Sequence, residues 1–354
     1  MKVSICIPHF NQHEYLERAV ESALRQACDG IELEIVVCDN ASPNCCQEAL
    51  ARCERMDNRV KVIRNTYNIG MVANWNKAVR ESTGDIICLL SADDELLPGA
   101  VEKACREFEA DPSVVLVYGS SRVIIESETQ KRLGRRSPLP IDQSYTRKVF
   151  RSPSFLKVNL SEPQIQLCSA FFKRAAYEIV GGFKGEAGTQ ADWLFWGELG
   201  AVGTVVRLDA VFGLYRVHNK SQTFEARLTF AWILYHYLTE NYLLGLWQKV
   251  SPGSANPLSF HARETAIATI KNRLQSSSRH LIFREVLLVY SLWPSIRVFF
   301  FCCAASLLSI MPSGVVIFFR GAIRSINIIK RKVIERKNLG ALIDKSMPEG
   351  RKRL

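Results

Sequence analysis

The chain has 354 residues, 47% of them hydrophobic and 23% charged, with a formal net charge of +11. That length buries a sizeable core, and that balance excludes disorder and collagen-like repetition. From Arg320 to the end eleven Lys and Arg stand against three acidic residues, so the basic excess belongs to the tail, and the near-neutral remainder argues against a nucleic-acid enzyme with a basic channel.

The first apolar run, residues 3–7, ends at Pro8. It is too short for a signal peptide and lacks a small-residue cleavage site, so it reads as a strand, and the domain is expected to begin at residue 1 and stay in the cytosol. Leu16, Ala19, Val20, Ala23 and Leu24 then recur at helical spacing. Residues 33–38 form a second buried run that stops at the turn formers Asp39, Asn40, Ala41, Ser42 and Pro43, and residues 60–63 form a third. Asn68, Ile69 and Gly70 break the chain, residues 72–82 read as a helix, and residues 86–90 as a fourth strand followed directly by Ser91, Ala92, Asp93 and Asp94. A helix over about 99–109 and a strand over 114–118 come next. This alternation predicts an α/β domain with a mostly parallel sheet covered on both faces, whose ligands collect outside the carboxyl ends of the strands. Residues 8–11, 39–42 and 91–94 all occupy those ends.

Residues 133–144, with Gly134, Arg135, Arg136, Pro138 and Pro140, read as a linker. From about Phe224 the sequence turns helical and aromatic, which gives two domains, 1–225 and 226–354. Eleven cysteines occur without a C-x-x-C pair; the odd count points to a reducing compartment and to Cys packed as a small hydrophobe, and the spacing predicts no zinc site.

Asp93 and Asp94 end an all-apolar strand, where two carboxylates repel unless a positive charge is shared between them. A divalent cation, Mn²⁺ or Mg²⁺, meets that need while also holding diphosphate oxygens. The alternative is a solvated turn capping the helix that starts near Pro98.

Five motifs carry a resemblance in order and spacing: Ile5 to Asn11, Val37 to Ser42, Asn68 to Gly70, Ser91 to Asp94 with Pro98, and Tyr215 to His218. Together, over roughly residues 1–225, they are similar to the inverting family 2 glycosyltransferases of bacterial polysaccharide synthesis. The resemblance implies a GT-A type, Rossmann-like sheet flanked by helices. It also implies a UDP- or dTDP-linked sugar as donor and an acceptor hydroxyl on a lipid-linked saccharide, in O-antigen, capsule or exopolysaccharide synthesis. Carried over residue by residue, Pro8, Asn11, Asn68 and Gly70 shape the nucleotide pocket and Asp39 reads the base. Asp93 holds the metal and contacts the nucleotide, His218 adds a ligand, and Ser91 and Asp94 contact the donor. Asp192 is the base that takes the acceptor proton, and Trp193, with Trp196, offers a flat wall for a sugar ring. Two departures stand out: Ser91 replaces the first Asp of the usual acidic motif, and Ala191 replaces the Glu that commonly precedes Asp192. The blander readings are a helix cap for Asp39 and for Asp192, a surface position for His218 and a core position for Trp193.

Residues 298–319 carry no charge, but Pro312, Ser313 and Gly314 interrupt them. The unbroken part, 298–311, is shorter than a membrane span, so residues 286–319 read as a segment lying in the membrane interface, with the following Lys and Arg attracting anionic lipid. This places the protein peripherally or monotopically at the cytoplasmic face of the inner membrane. The alternatives for the same segment are a helix packed on the catalytic domain, a homo-oligomer interface or a true span. Two rival functions remain: a sugar nucleotidyltransferase, which needs a Gly-rich basic loop where Pro8, His9, Phe10 and Asn11 stand, and a non-catalytic membrane scaffold, suggested by Ser91 and Ala191.

Overall fold

The computed structural model describes residues 1–125, 146–161, 165–218 and 230–255, with isolated positions from 257 to 292. The first half alternates strand and helix: β1 (Lys2–His9), α1 (His13–Leu24), β2 (Glu32–Asp39), a 3₁₀ turn (Asn44–Cys46), α2 (Gln47–Met56), β3 (Val60–Arg64), α3 (Met71–Arg80) and β4 (Ile86–Leu89). The short β5 (Glu95–Leu96), α4 (Ala100–Ala110), β6 (Val114–Ile125), β7 (Arg147–Phe150), α5 (Ser154–Ser161), β8 (Ala170–Lys173), α6 (Arg174–Val180), α7 (Ala191–Val202), β9 (Thr204–Val217) and α8 (Phe230–Val250) follow.

The strands read as unbroken apolar runs because both faces of the sheet are covered. Val3, Ile5 and Ile7 of β1 enter one core with Leu16 and Val20 of α1 and Leu50 of α2. Cys6, on the other face of the same strand, joins Cys38, Val72, Ala78, Ile87 and Leu89. The thiols thus pack as small hydrophobes, as the sequence predicts.

The sheet order is β3-β2-β1-β4-β8-β6-β9-β5, with β7 pairing β9. β1 pairs in parallel with β2 on one side and β4 on the other, so the order reverses at β1 and a crevice opens beyond its carboxyl end. β8 runs antiparallel between β4 and β6. The long β9 pairs in parallel with β6 through several bulges, and its far end pairs antiparallel with β5 at Glu95↔Leu214 and Leu96↔Gly213. That last pairing brings the end of β9 to the segment directly after Asp94.

A first compact unit runs from Met1 to Thr269 and a second from Ile270 to Leu354. α8, which the sequence reading assigned to a region beginning at residue 226, belongs to the first unit: it packs on α5, α7 and the 3₁₀ segment Gly185–Gln190, and its Leu243 and Trp247 enter the core. The linker at 133–144 lies outside the described residues, and so does the apolar segment at 286–319 apart from positions 286, 289 and 292. No described helix is long and apolar enough to cross a membrane.

Candidate active site

Two loops at the carboxyl ends of β1 and β2 are fixed first. Asn11 and Ala41 both hold left-handed backbone, at φ 54° and 58°. Asn tolerates this conformation and Ala does not, so local strain is stored beside the crevice. The Asn11 N–H donates to Ser42 Oγ at 2.9 Å and ties one loop to the other.

Beyond these strand ends lies a cavity of about 630 Å³. Pro8, His9, Phe10 and Asn11 line it after β1, Asn68 and Gly70 ahead of α3, and Ser91, Asp93 and Asp94 after β4. Asp192 reaches it from the first turn of α7, and Arg216 and His218 from the end of β9. Nine of the eleven site residues chosen from the sequence therefore meet in one cavity; Asp39 and Trp193 do not line it.

Asp93 and His218 are paired. His218 Nε2 lies 3.0 Å from Asp93 Oδ2, and the imidazole is buried. The ring is also held against Tyr15, centroid to centroid at 5.0 Å, and the Arg216 guanidinium covers that Tyr15 ring at 5.3 Å. Asp94 is buried behind them and accepts the Arg216 N–H at 2.8 Å. Burial, and next the charge of Asp93, push its carboxyl well above the ordinary carboxylate range.

The residues fit a hard divalent ion. A carboxylate oxygen and an imidazole nitrogen 3.0 Å apart match the cis edge, about 3.0 Å, of an octahedron with bonds of 2.0–2.1 Å, and this donor set suits Mn²⁺ or Mg²⁺. Two such ligands would leave further coordination positions open. The cavity has little other positive charge. Arg216 is its sole lining Lys or Arg among the described residues, and its head is spent on Glu95 Oε1 at 2.7 Å and on the Asp93 carbonyl at 3.0 Å.

Asp192 is half-buried at the cavity wall, and its Oδ1 accepts the Trp193 N–H at 2.7 Å. Burial raises the carboxyl to about 6 in spite of the N–H groups that pull it down. The turn before it contains Gly188 at φ 54°, ψ −122°, where a Cβ would press into the Tyr235 ring of α8. Only glycine fits that conformation and that space, so α8 buttresses the loop that presents Asp192.

Asp39 corrects one expectation. It is 1% exposed, is bound by His9 Nδ1 at 2.9 Å and the Ser42 N–H at 3.2 Å, and does not line the cavity, whereas His9 does. Burial alone would raise its carboxyl, but the hydrogen bonds from His9 and Ser42 outweigh burial and hold it below the usual value. Trp193 corrects another: it is 4% exposed, with its indole N–H on the Asn159 carbonyl at 2.8 Å, and Trp196 is equally buried. The Trp193 ring packs near His236 of α8, and the Trp196 ring near Phe172 of β8 and Phe183. The aromatic residues that line the cavity include Phe10, Tyr15, Trp75 and Tyr215 instead.

An asparagine network also escaped the sequence reading. Asn40 donates to Asn68 Oδ1 at 2.8 Å and accepts from Asn65 Nδ2 at 3.0 Å and the Ile69 N–H at 2.9 Å. Asn68 Oδ1 accepts the Gly70 N–H at 2.8 Å, so the network shapes the loop ahead of α3. The recurrence of Asn at 40, 65, 68 and 74 is the signal that could have flagged it.

Residues 4–180 match the family described as Glycosyl transferase family 2. Among curated relatives, an uncharacterized protein of Mycobacterium tuberculosis is 37% identical over 134 residues, covering 38% of this chain and 40% of its own length. A chondroitin synthase of Pasteurella multocida is 27% identical over 209 residues, 59% of this chain and 20% of its own. The GalNAc(5)-diNAcBac-PP-undecaprenol beta-1,3-glucosyltransferase of Campylobacter jejuni is 28% identical over 155 residues, 44% of this chain and 48% of its own. The chain thus spans half or less of the length of each of these relatives. Among solved structures, residues 1–349 of TarS from S. aureus in complex with UDP give a TM-score of 0.52 at 16% identity, covering 87% of this chain and 88% of that one, which is agreement in fold.

Proposed function

Because the chain belongs to glycosyl transferase family 2 and has the GT-A type fold, we propose that it moves a sugar from a nucleotide-diphosphate donor to an acceptor hydroxyl, inverting the anomeric centre. The observation that carries this reading is that Asp192, a carboxylate raised to about 6, and the Asp93–His218 pair line the same cavity.

Inversion needs a base on the face of the sugar opposite the departing diphosphate. Asp192 takes that role: a carboxyl near 6 is ionised at neutral pH yet basic enough to accept the acceptor proton as the new bond forms. Asp93 and His218 would hold the divalent ion, which supplies charge neutralisation to the leaving diphosphate. Pro8, Asn11, Asn68 and Gly70 shape the nucleotide pocket, with Ser91 and Asp94 on the donor side. Asp39 shapes the base pocket from behind by holding His9 and the loop at Ser42. Phe10 and Trp75 offer the flat surfaces first sought in Trp193.

For the acceptor we favour a saccharide on a lipid carrier, as the Campylobacter relative's name describes for that protein. The uncharged run at 298–319 and the basic tail after it support attachment to an anionic membrane surface, where such an acceptor resides. The test is a thermal-shift screen of UDP, dTDP, GDP and ADP with and without Mn²⁺. Stabilisation by uridine or thymidine diphosphate, enhanced by Mn²⁺, is the expected result; no stabilisation by any of the four overturns the reading.

A further inference from the structure

Beside the same cavity, three side chains converge that the transfer reaction does not use. Cys46 Sγ lies 3.5 Å from His13 Nδ1 and 4.0 Å from Cys45 Sγ, and the three ligand atoms all fall within 4.8 Å of one another. Among the described residues, these are the one set of three or more His, Cys, Asp or Glu side chains gathered this closely.

Two of the three edges match a coordination tetrahedron. With sulfur about 2.3 Å and imidazole nitrogen about 2.0–2.1 Å from zinc, tetrahedral angles put sulfur and sulfur about 3.8 Å apart, and sulfur and nitrogen about 3.5 Å apart. The Cys46–Cys45 and Cys46–His13 edges agree to within a few tenths of an ångström, and the His13–Cys45 edge is within 4.8 Å. We propose that His13, Cys45 and Cys46 form a binding site for Zn²⁺ or a similarly thiophilic divalent ion, with the fourth position open to water. Asn11 Oδ1 lies 3.9 Å from Cys46 Sγ.

Sequence spacing gives no hint of this site, because adjacent cysteines are not a zinc motif and His13 lies more than thirty residues away. The fold assembles it. β1 and β2 pair in register up to His9↔Asp39, so the first turn of α1, with His13, and the 3₁₀ turn after β2, with Cys45 and Cys46, emerge side by side. The Asn11–Ser42 bond holds the two loops together. Cys45 is exposed and His13 half-buried, so an ion enters from solvent, while Cys46 is fully buried and anchors the inner corner.

Donor chemistry separates this site from the Asp93–His218 pair. Thiolates select zinc and other thiophilic ions and reject Mg²⁺ and Mn²⁺, whereas a carboxylate with phosphate oxygens does the reverse. His13 and Asn11 also line the cavity, so an ion bound here stiffens the wall that the donor meets.

The test is to titrate Co²⁺ into the full-length protein with a phosphine reductant, so that no added thiol competes. A sulfur-to-cobalt charge-transfer band with tetrahedral visible absorption is expected, saturating at one ion per chain, displaced by Zn²⁺ and unaffected by Mg²⁺. Cys45→Ser, at an exposed position that tolerates the change, and His13→Ala should each weaken binding by at least about tenfold. Absence of the band in the unaltered protein overturns the proposal and leaves a thiol–imidazole hydrogen bond only. A band undiminished in Cys45→Ser also overturns it, assigning the metal to other cysteines.

Discussion

The His218 imidazole stands 3.0 Å from the Asp93 carboxylate although 125 residues of chain separate them. The strand pairing of β9 with β5, one residue beyond Asp94, makes that contact, and it converts two weak sequence signals into one buried pair.

If the pair holds a metal as proposed, removing either side chain should impair metal binding and spare the fold. Asp93→Asn and His218→Gln should each raise the Mn²⁺ concentration needed for nucleotide-diphosphate binding by at least about tenfold. Isothermal titration with UDP at several Mn²⁺ concentrations measures this. Unchanged Mn²⁺ dependence in both variants would remove Asp93 and His218 from the metal site.

Asp192→Asn should lower kcat by roughly 10²–10⁴-fold, the usual worth of a positioned base, with little change in KM for the donor. The pH profile gives a sharper check. With the carboxyl at about 6 in the free enzyme, kcat/KM should rise with pH and level off above that value. The rising limb should vanish in the residual activity of the variant.

The same carboxyl carries a stability signature of known sign. Its folded-state value, about 6, lies above the ordinary 3.8, so the folded chain holds the proton more tightly than the unfolded one. The stability linked to that proton is complete below 3.8 and is lost as pH rises through 6. Asp192→Asn has no such loss, so its melting temperature should exceed that of the parent at pH 7.5, and the gap should close as pH falls toward 4. A gap of opposite sign at pH 7.5 would mean that the carboxylate is stabilised in place.

His9→Ala leaves the buried Asp39 carboxylate with Ser42 as its remaining partner, at a cost of about 1–3 kcal/mol for the lost hydrogen bond. Asp39→Ala should weaken nucleotide binding as His9→Ala does, and the double variant should cost less than the two single changes together, because they interrupt one relay. Urea unfolding and UDP titration of the three variants measure both quantities. Additive losses would show that Asp39 and His9 act separately.

Gly188→Ala forces a side chain into glycine-only backbone and against Tyr235, costing about 1–3 kcal/mol of strain. Activity should fall further than stability, since the turn leads into Asp192. Adding Tyr235→Ala should restore part of the stability by opening space for the methyl group. Full activity in Gly188→Ala would show that the turn does not set the position of the base.

Local pattern was enough for the first half of the molecule. The runs at 3–7, 33–38 and 60–63 lie in the first three strands, and the run at 86–90 covers the fourth and one residue beyond it, because a strand covered on both faces must be apolar throughout, and that composition is visible without any partner. The same logic placed polar residues 8–11 and 91–94 at strand ends, and hence Asp93 and Asn11 in the cavity. β6 extends to Ile125, past the expected 118, since its outer half is held by β9 and bulges break its periodicity. β5, two residues long, has no signal of its own at all.

What the sequence by itself determined is the α/β alternation, the family and the identity of the acidic residues, because each depends on residue type and spacing along the chain. Only the tertiary structure decided which face each side chain serves. It turned Asp39 to His9 and Trp193 into the core, and it drew His218 to Asp93 and Cys46 to His13. Those outcomes depend on strand order and register, which are set by packing among segments distant in the chain and leave no mark on local composition.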